Sequence, residues 1–423
     1  NNAPTDITRS GSTVNENATN GTVVDTFVGV DPDGDALTYS LTSGTPVLST
    51  TVPVGLEPVA VAARNDSEVW VVNHLSDSVS VVDVSANPPR VTRTLLVGDE
   101  PRDIVFAGTD RSRAFITAAR RGQNAPFSAE SFTEGTPRCD VWVFDANSLG
   151  SSLTGDPLTV LHLFGDTPRP LAVSTDGATV YAGVFNSGNR TTALDADVVK
   201  GGLTKPGPKQ DPAGNVQPRT GLIVRFANGH WSDGGDPEKA EKPRTWDNRV
   251  RFTLPDYDVF AIDANAAVPA KLREYSGVGT TLFNMAVNPA NGALYVTNQE
   301  ARNLVRFEGE GDASSTVRGH FVESRISVIK TDGTVLPRHL NKHIKSYNAD
   351  LGTADEKQKS LATPLELAFK PDGTRVYVAA FGSQAVGSFK PSEIEGNTFT
   401  PSAANQIALT AGGPSGLALD NAR

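Results

Sequence analysis

The chain repeats itself, and that repetition restricts its fold more than any other property. Aligned on a Gly-x-x-Pro or closely similar turn, five stretches follow one plan. They are VGLEPVAVAARNDSEVWVVN (54–73), VGDEPRDIVFAGTDRSRAFITAA (97–119), FGDTPRPLAVSTDGATVYAGVFN (164–186), VGTTLFNMAVNPANGALYVTN (278–298) and TPLELAFKPDGTRVYVAAF (363–381). A sixth, GGPSGLALDNAR (412–423), opens the same way. A recurring block of this kind cannot bury its apolar face alone, so its copies must pack against one another.

Each copy has one internal grammar. A first apolar run (AVAA, IVFA, LAVS, MAVN, LAFK) leads into a turn such as Asp176-Gly177, Asn291-Gly292 or Asp372-Gly373. Those residues tolerate the positive φ of a tight hairpin. A second run (VWVV, AFIT, VYAG, LYVT, VYVA) is rich in the β-branched and aromatic residues that suit a pleated surface. A third strand alternates more (SVSVVD, DVWVFD, DVFAID, ISVIK), and a fourth, amphipathic one precedes the next Gly-x-x-Pro. Four antiparallel strands per copy, most buried first and most polar last, predict a blade. The chain is therefore read as all-β: a β-propeller with five recognisable blades plus a partial one, six or seven being expected. Glycine (39) and proline (28) make up about 16% of the 423 residues, a supply of turns that fits.

The residues Tyr295-Val296-Thr297-Asn298, with Pro371-Asp372-Gly373 in the next copy, resemble the YVTN-type propeller repeat family, related to the lactonase-like propellers. The resemblance covers roughly 45–423 and implies a propeller; it does not imply one activity, because the fold hosts many. Residues 1–44 differ in texture. Their N-A-P-T, V-x-E-N and D-x-D-G-D-x-L-x-Y pattern resembles bacterial cadherin-like, immunoglobulin-type domains. That resemblance implies Ca²⁺ at Glu16, Asp31, Asp33 and Asp35, since calcium takes several oxygen ligands. Both resemblances imply an extracytoplasmic setting: periplasmic, secreted or cell-surface.

Composition excludes several classes of function. The net charge is −10 and the pI about 5.2, and no basic stretch offers a footprint for nucleic acid. One cysteine, Cys139, rules out an internal disulfide framework, and with no C-x-x-C-H there is no covalent haem in this chain. No apolar run reaches the ~18 residues of a membrane span. The N-terminal NNAPTDITRS lacks the basic and apolar regions of a signal peptide, so the sequence reads as a mature protein or an internal piece.

Function is expected on one face. In an antiparallel blade, the loops joining strands two and three leave from the same side as the links between blades. Long insertions at 120–139, 187–256 and 299–324 all occupy that position, and loops beyond ~15 residues are usually functional or disordered. Aligned starts of the first strands place Arg102, Asp103, Arg169, Asn284 and Glu366 at this mouth. The ends of the second strands add Arg120, Asn186, Arg190, Asn298 and Glu300. Arginine suits carboxylates, phosphates and sugar hydroxyls through its planar fork. Within 187–256, GLIVRFANGHWSD reads as a hairpin around Asn228-Gly229, and Trp231, Trp246, Phe252 and Tyr257 could build a satellite core. His339 and His343, four apart, are the one spacing suited to a metal, and there is no H-E-x-x-H or G-x-S-x-G. The favoured reading is a binding or scaffold module holding a protein or saccharide partner on this face. A lactonase-like hydrolase using the Arg/Asn/Glu funnel and an accessory domain for a c-type cytochrome stand beside it.

Overall fold

The computed structural model describes residues 50–120, 137–187, 190–195, 213–214, 222–233, 242–250, 256–301, 322–345, 352–410 and 412–419, and the backbone of two strands at 6–9 and 27–30. The chain forms two compact units, Asn1–Thr51 and Val52–Arg423. In the first, Asp6–Arg9 pairs antiparallel with Phe27–Val30. Glu16, Asp31, Asp33 and Asp35 lie outside the described residues.

The described residues of the second unit form five four-stranded antiparallel sheets, one for each of the five full repeats. Blade 1 comprises Pro58–Ala63, Glu68–Asn73, Ser78–Asp83 and Arg90–Leu96; blade 2 comprises Ile104–Ala107, Arg113–Ala119, Cys139–Asp145 and Thr159–Leu163. Blade 3 is Pro168–Val173, Thr179–Val184, Val259–Asp263 and Ala270–Tyr275; blade 4 is Thr281–Val287, Leu294–Ala301, Val322–Ile329 and Val335–His339. Blade 5 is Pro364–Phe369, Val376–Ala380, Ala385–Phe389 and Gln406–Ala408. The hairpin glycines behave as the turn chemistry demands, with φ of 71° at Gly177 and 73° at Gly292.

Apolar clusters join each blade to the next. Trp70, Val72 and Leu95 meet Ile104, Phe106 and Phe144 between blades 1 and 2. Phe115, Val141 and Leu163 meet Leu171, Val180 and Phe260 between blades 2 and 3. Val259 and Tyr275 meet Leu282 and Val296 at the third seam, and Tyr295, Ile326 and Leu340 meet Leu367, Val378 and Phe389 at the fourth. The expected gradient of burial is corrected here. The second and third strands are the most enclosed, as in Arg113–Ala119 and Val322–Ile329, because neighbouring blades cover both their faces. First strands are less enclosed, since one edge borders the axis. The first strand of blade 1 is the extreme, with Val61 68% exposed.

The described residues form five four-stranded blades. Residues 412–419 form no strand, yet they lie where a sixth first strand would begin: a Cβ built on Gly416 would be 3.8 Å from Glu366 Oε2. The recurring glycine before each blade is explained by close approach to the end of the second strand rather than by turn conformation. A Cβ at Gly165 would sit 2.7 Å from Val184 Cγ2, and one at Gly279 would overlap the Asn298 amide. Among the described residues, no helix is long and apolar enough to cross a membrane.

Candidate functional site

The site is built by a bulge. In blades 1, 3, 4 and 5 the pairing of first and second strands slips at one place, between Pro58 and Ala60, Pro168 and Leu171, Leu282 and Asn284, and Pro364 and Leu367. In blade 2, Arg102 N–H donates to the Thr117 carbonyl at 3.0 Å and Thr117 N–H to the Asp103 carbonyl at 3.1 Å, so two residues again address one. A bulge frees a backbone N–H that must find an acceptor. In blades 2 and 4 a side chain at the bulge supplies it. Asn284 Oδ1 accepts from Met285 N–H at 2.6 Å, and Asp103 Oδ1 accepts from Ile104 N–H at 2.8 Å. Blade 3 has Pro170 at this position, with no acceptor to offer. Asp103 Oδ2 reaches across the seam and takes the Leu171 N–H at 2.7 Å.

The polar stop of the second strand has a matching role. Thr117 Oγ1 accepts from Asp103 N–H at 3.1 Å and donates to the Arg169 carbonyl of the next blade at 2.9 Å. Thr297 Oγ1 repeats this between Asn284 N–H, 3.1 Å, and the Leu365 carbonyl, 2.5 Å. The threonine staples one bulge to the next and fixes the spacing of the axial side chains.

Three of those side chains converge. Asn284 hydrogen-bonds to Glu366, and the Glu366 charge acts on Asp103. Burial pushes Asp103 up to about 7 against the pull of its two backbone N–H donors, and the Glu366 charge pushes the same way. Burial also raises Glu366, and the Asn284 hydrogen bond opposes it. The result is an axial floor of two carboxyls, both raised by burial, and one amide.

Arg102 and Arg169 stand one residue nearer the mouth. The Arg169 guanidinium lies flat over Phe185, its Cζ 3.5 Å from the ring centroid, and Phe185 packs edge-on against Phe283 at 6.0 Å. Burial lowers the Arg169 pKa, and the neighbouring Arg102 charge lowers it further, against Glu100. Nε of each arginine is buried without an acceptor. Among the described residues neither guanidinium has an ion-pair partner.

The other sequence candidates are distributed elsewhere. Asn298 is fully buried and donates to Ser327 Oγ at 3.0 Å and to the Val296 carbonyl, so it shapes blade 4 instead of lining the mouth. Glu300 is also fully buried. It pairs with Arg225 at 2.6 Å and Arg325 at 3.6 Å, because the second strand of blade 4 runs on to Ala301 and carries Glu300 into the ladder. Arg120 acts on Asp140, which binds His162 Nδ1 at 2.7 Å on the outer part of blade 2. Asn186 is exposed, its backbone bridging to Thr281. Arg190 sits at the foot of the insertion, 4.0 Å from Asp256 and over Phe226. Cys139 is buried in the seam between blades 2 and 3, where burial drives its thiol well above the usual range.

Sequence reasoning missed the acidic pair at the end of the insertion. Asp258 is fully buried, pushed up to about 7 by burial and by Asp256, and accepts the Val278 N–H at 2.6 Å. The insertion itself folds as expected in part. Thr191–Leu194, Leu222–Ala227 and His230–Ser232 form a three-stranded sheet over Leu194, Leu222, Val224 and Trp231, with Trp246 and Val250 against it. Tyr257 does not join it; it packs against the seam between blades 2 and 3. Phe252 lies outside the described residues. His339 ends the strand Val335–His339 and His343 lies in the turn after it, so the helical spacing expected of them is not formed. His343 Nε2 meets the Glu356 carbonyl at 2.9 Å, and among the described residues no group of three metal-ligating side chains occurs.

No family model matches the chain, so neither the YVTN-type repeat nor the cadherin-like segment gains a family assignment, and no curated protein matches it. Solved structures do. Hydrazine synthase of Kuenenia stuttgartiensis superposes with a TM-score of 0.51 and 17% identity, over 87% of this chain and 79% of that one. A proposed 6-phosphogluconolactonase of Bacteroides uniformis gives 0.41 and 13%, over 85% and 74%. Another from Bacteroides fragilis gives 0.35 and 10%, over 83% and 84%. At these identities the likeness speaks to fold alone, and the fold is that of a multi-blade β-propeller.

Proposed function

We propose that the protein is an extracytoplasmic binding module that holds a small polar ligand or a partner's side chain at the axial mouth of its propeller. The observation that carries this reading is the convergence of Asp103, Asn284 and Glu366 beneath the paired Arg102 and Arg169. Sites that fix a ligand combine an apolar wall with a few convergent polar groups, and Phe185 and Phe283 supply the wall. The test is thermal shift against a panel of neutral sugars, uronic acids, sugar phosphates and short acidic peptides. At least one class should stabilise the wild type and fail to stabilise Glu366→Gln combined with Asn284→Ala. Hits that survive that double substitution would place binding elsewhere and overturn the reading.

A second reading, lactone hydrolysis, is favoured by one feature. A carboxyl pushed up to about 7 by desolvation, as at Asp103, is suited to general-base work near neutral pH. Turnover of a lactone panel that disappears in Asp103→Asn would support it; a wild type inert on the whole panel would remove it. On the sequence resemblance alone, we also propose Ca²⁺ at Glu16, Asp31, Asp33 and Asp35. Calorimetric titration with calcium chloride, with and without Asp33→Asn, tests that directly.

A further inference from the structure

We infer that the Arg102–Arg169 pair is an oxyanion subsite, taking the carboxylate or phosphate group of a small ligand. This deepens the reading above and rests on it. Two guanidiniums side by side repel, and each holds a fork of donors. Several other arginines among the described residues have acceptors. Arg225 meets Glu300, Arg325 meets Glu323, Arg244 meets Asp233, Arg113 donates to the Ala264 carbonyl and Arg338 to the Ile394 carbonyl. Arg102 and Arg169 have no such partner among the described residues, and Thr117 contacts the backbones of both.

Their position is not left to chance. Thr117 ties both backbones: its carbonyl accepts from Arg102 N–H at 3.0 Å and its hydroxyl donates to the Arg169 carbonyl at 2.9 Å. Phe185 then holds the Arg169 plane from below. A planar donor fixed against an aromatic face loses little freedom when it binds, which favours bidentate recognition of an oxyanion over a solvated surface role. The Nε atoms of both arginines are buried and lack acceptors, while each residue as a whole is partly exposed, so an oxyanion would be met by the outer Nη groups.

The acids beneath do not forbid this. Asp103 satisfies two backbone N–H groups and, like Glu366, is raised by burial, which lessens the negative charge beneath the arginines as pH falls. A ligand seated here would place its anionic group against the arginines and its hydroxyl groups toward Asn284 and Glu366.

The experiment uses the full chain and three probes at pH 6: inorganic phosphate, glucuronate and glucose, followed by calorimetry and by thermal shift. Phosphate or glucuronate should bind saturably, and Arg169→Gln or Arg102→Gln should weaken that binding at least tenfold. Glucose should bind more weakly than glucuronate. The two anions separate phosphate from carboxylate recognition. Because either substitution could disturb the seam, a second measurement uses wild-type protein alone. Phenylglyoxal should modify Arg102 and Arg169, and the bound anion should protect both, read by peptide mass. Anion binding unchanged in both arginine variants, or no protection by either anion, overturns the subsite. If neutral sugars then bind in a manner dependent on Glu366 and Asn284, the binding-module reading survives without it. If nothing binds at the mouth, both fall.

Discussion

Replacing Asp103 by asparagine should have an effect on stability whose sign depends on pH. In the folded protein the Asp103 carboxyl is pushed up to about 7, against 3.8 for the free side chain. Between those values the native state keeps a proton that the unfolded chain has released, so wild-type stability falls as pH rises from about 4 to about 7. The shift is about three pK units, which at 1.36 kcal/mol per unit sets an upper bound of about 4 kcal/mol. Asparagine is nearly isosteric and cannot ionise. It retains one acceptor for Ile104 N–H or Leu171 N–H and loses the other, at a cost of about 1 kcal/mol. Asp103→Asn should therefore be less stable than wild type by about 1 kcal/mol at pH 3, about equal to it at pH 4.5, and more stable by about 2–3 kcal/mol at pH 8. Urea unfolding of both proteins across this range gives the difference directly, and the other titrating carboxyls, Asp256 and Asp258 included, cancel to first order. A difference that keeps one sign and one size from pH 3 to 8 would refute the argument that the axial carboxyl is desolvated.

Thr297→Val keeps the shape of the staple and removes its hydroxyl, leaving Asn284 N–H and the Leu365 carbonyl without that partner. A loss of about 2–4 kcal/mol in urea unfolding is expected, with faster amide exchange in 281–287 and 364–369. Gly279→Ala has no φ strain to add, yet its Cβ overlaps the buried Asn298 amide; destabilisation of about 1–3 kcal/mol is expected, relieved by a second change, Asn298→Ala. Arg225→Gln removes the 2.6 Å ion pair of the buried Glu300, so the sheet at 222–232 should exchange its amides faster and stability should fall by about 1–2 kcal/mol.

Much of the architecture could be read from the residues. The Asp-Gly and Asn-Gly turns at 176–177, 291–292 and 372–373, each between two β-rich runs, leave a hairpin as the only economical fold, and the repeat of that hairpin brings the blades. Aligning the repeats also set Asp103, Asn284 and Glu366 in one column, which the bulges turn toward the axis. The second-strand candidates were harder to place. Whether Asn298 faces a mouth or a neighbouring backbone depends on Gly279, nineteen positions earlier, and on Ser327 in another strand. Glu300 looked like a loop charge because its strand continues beyond the usual length, and its partner Arg225 lies in the insertion, a contact that sequence separation conceals. Thr297 was legible only as a polar stop. Its role as a staple needs the next blade's carbonyl, which no local pattern supplies.

The central claim is that like-built sheets bring Asp103, Asn284 and Glu366 together on one axis. ¹³C NMR titration of the aspartate and glutamate carboxyls, in wild type and in Glu366→Gln, tests it most directly. The account predicts an Asp103 resonance with a midpoint of about 7 that moves to lower pH when the Glu366 charge is removed. An Asp103 carboxyl titrating in the ordinary range near 4, indifferent to Glu366→Gln, would contradict it.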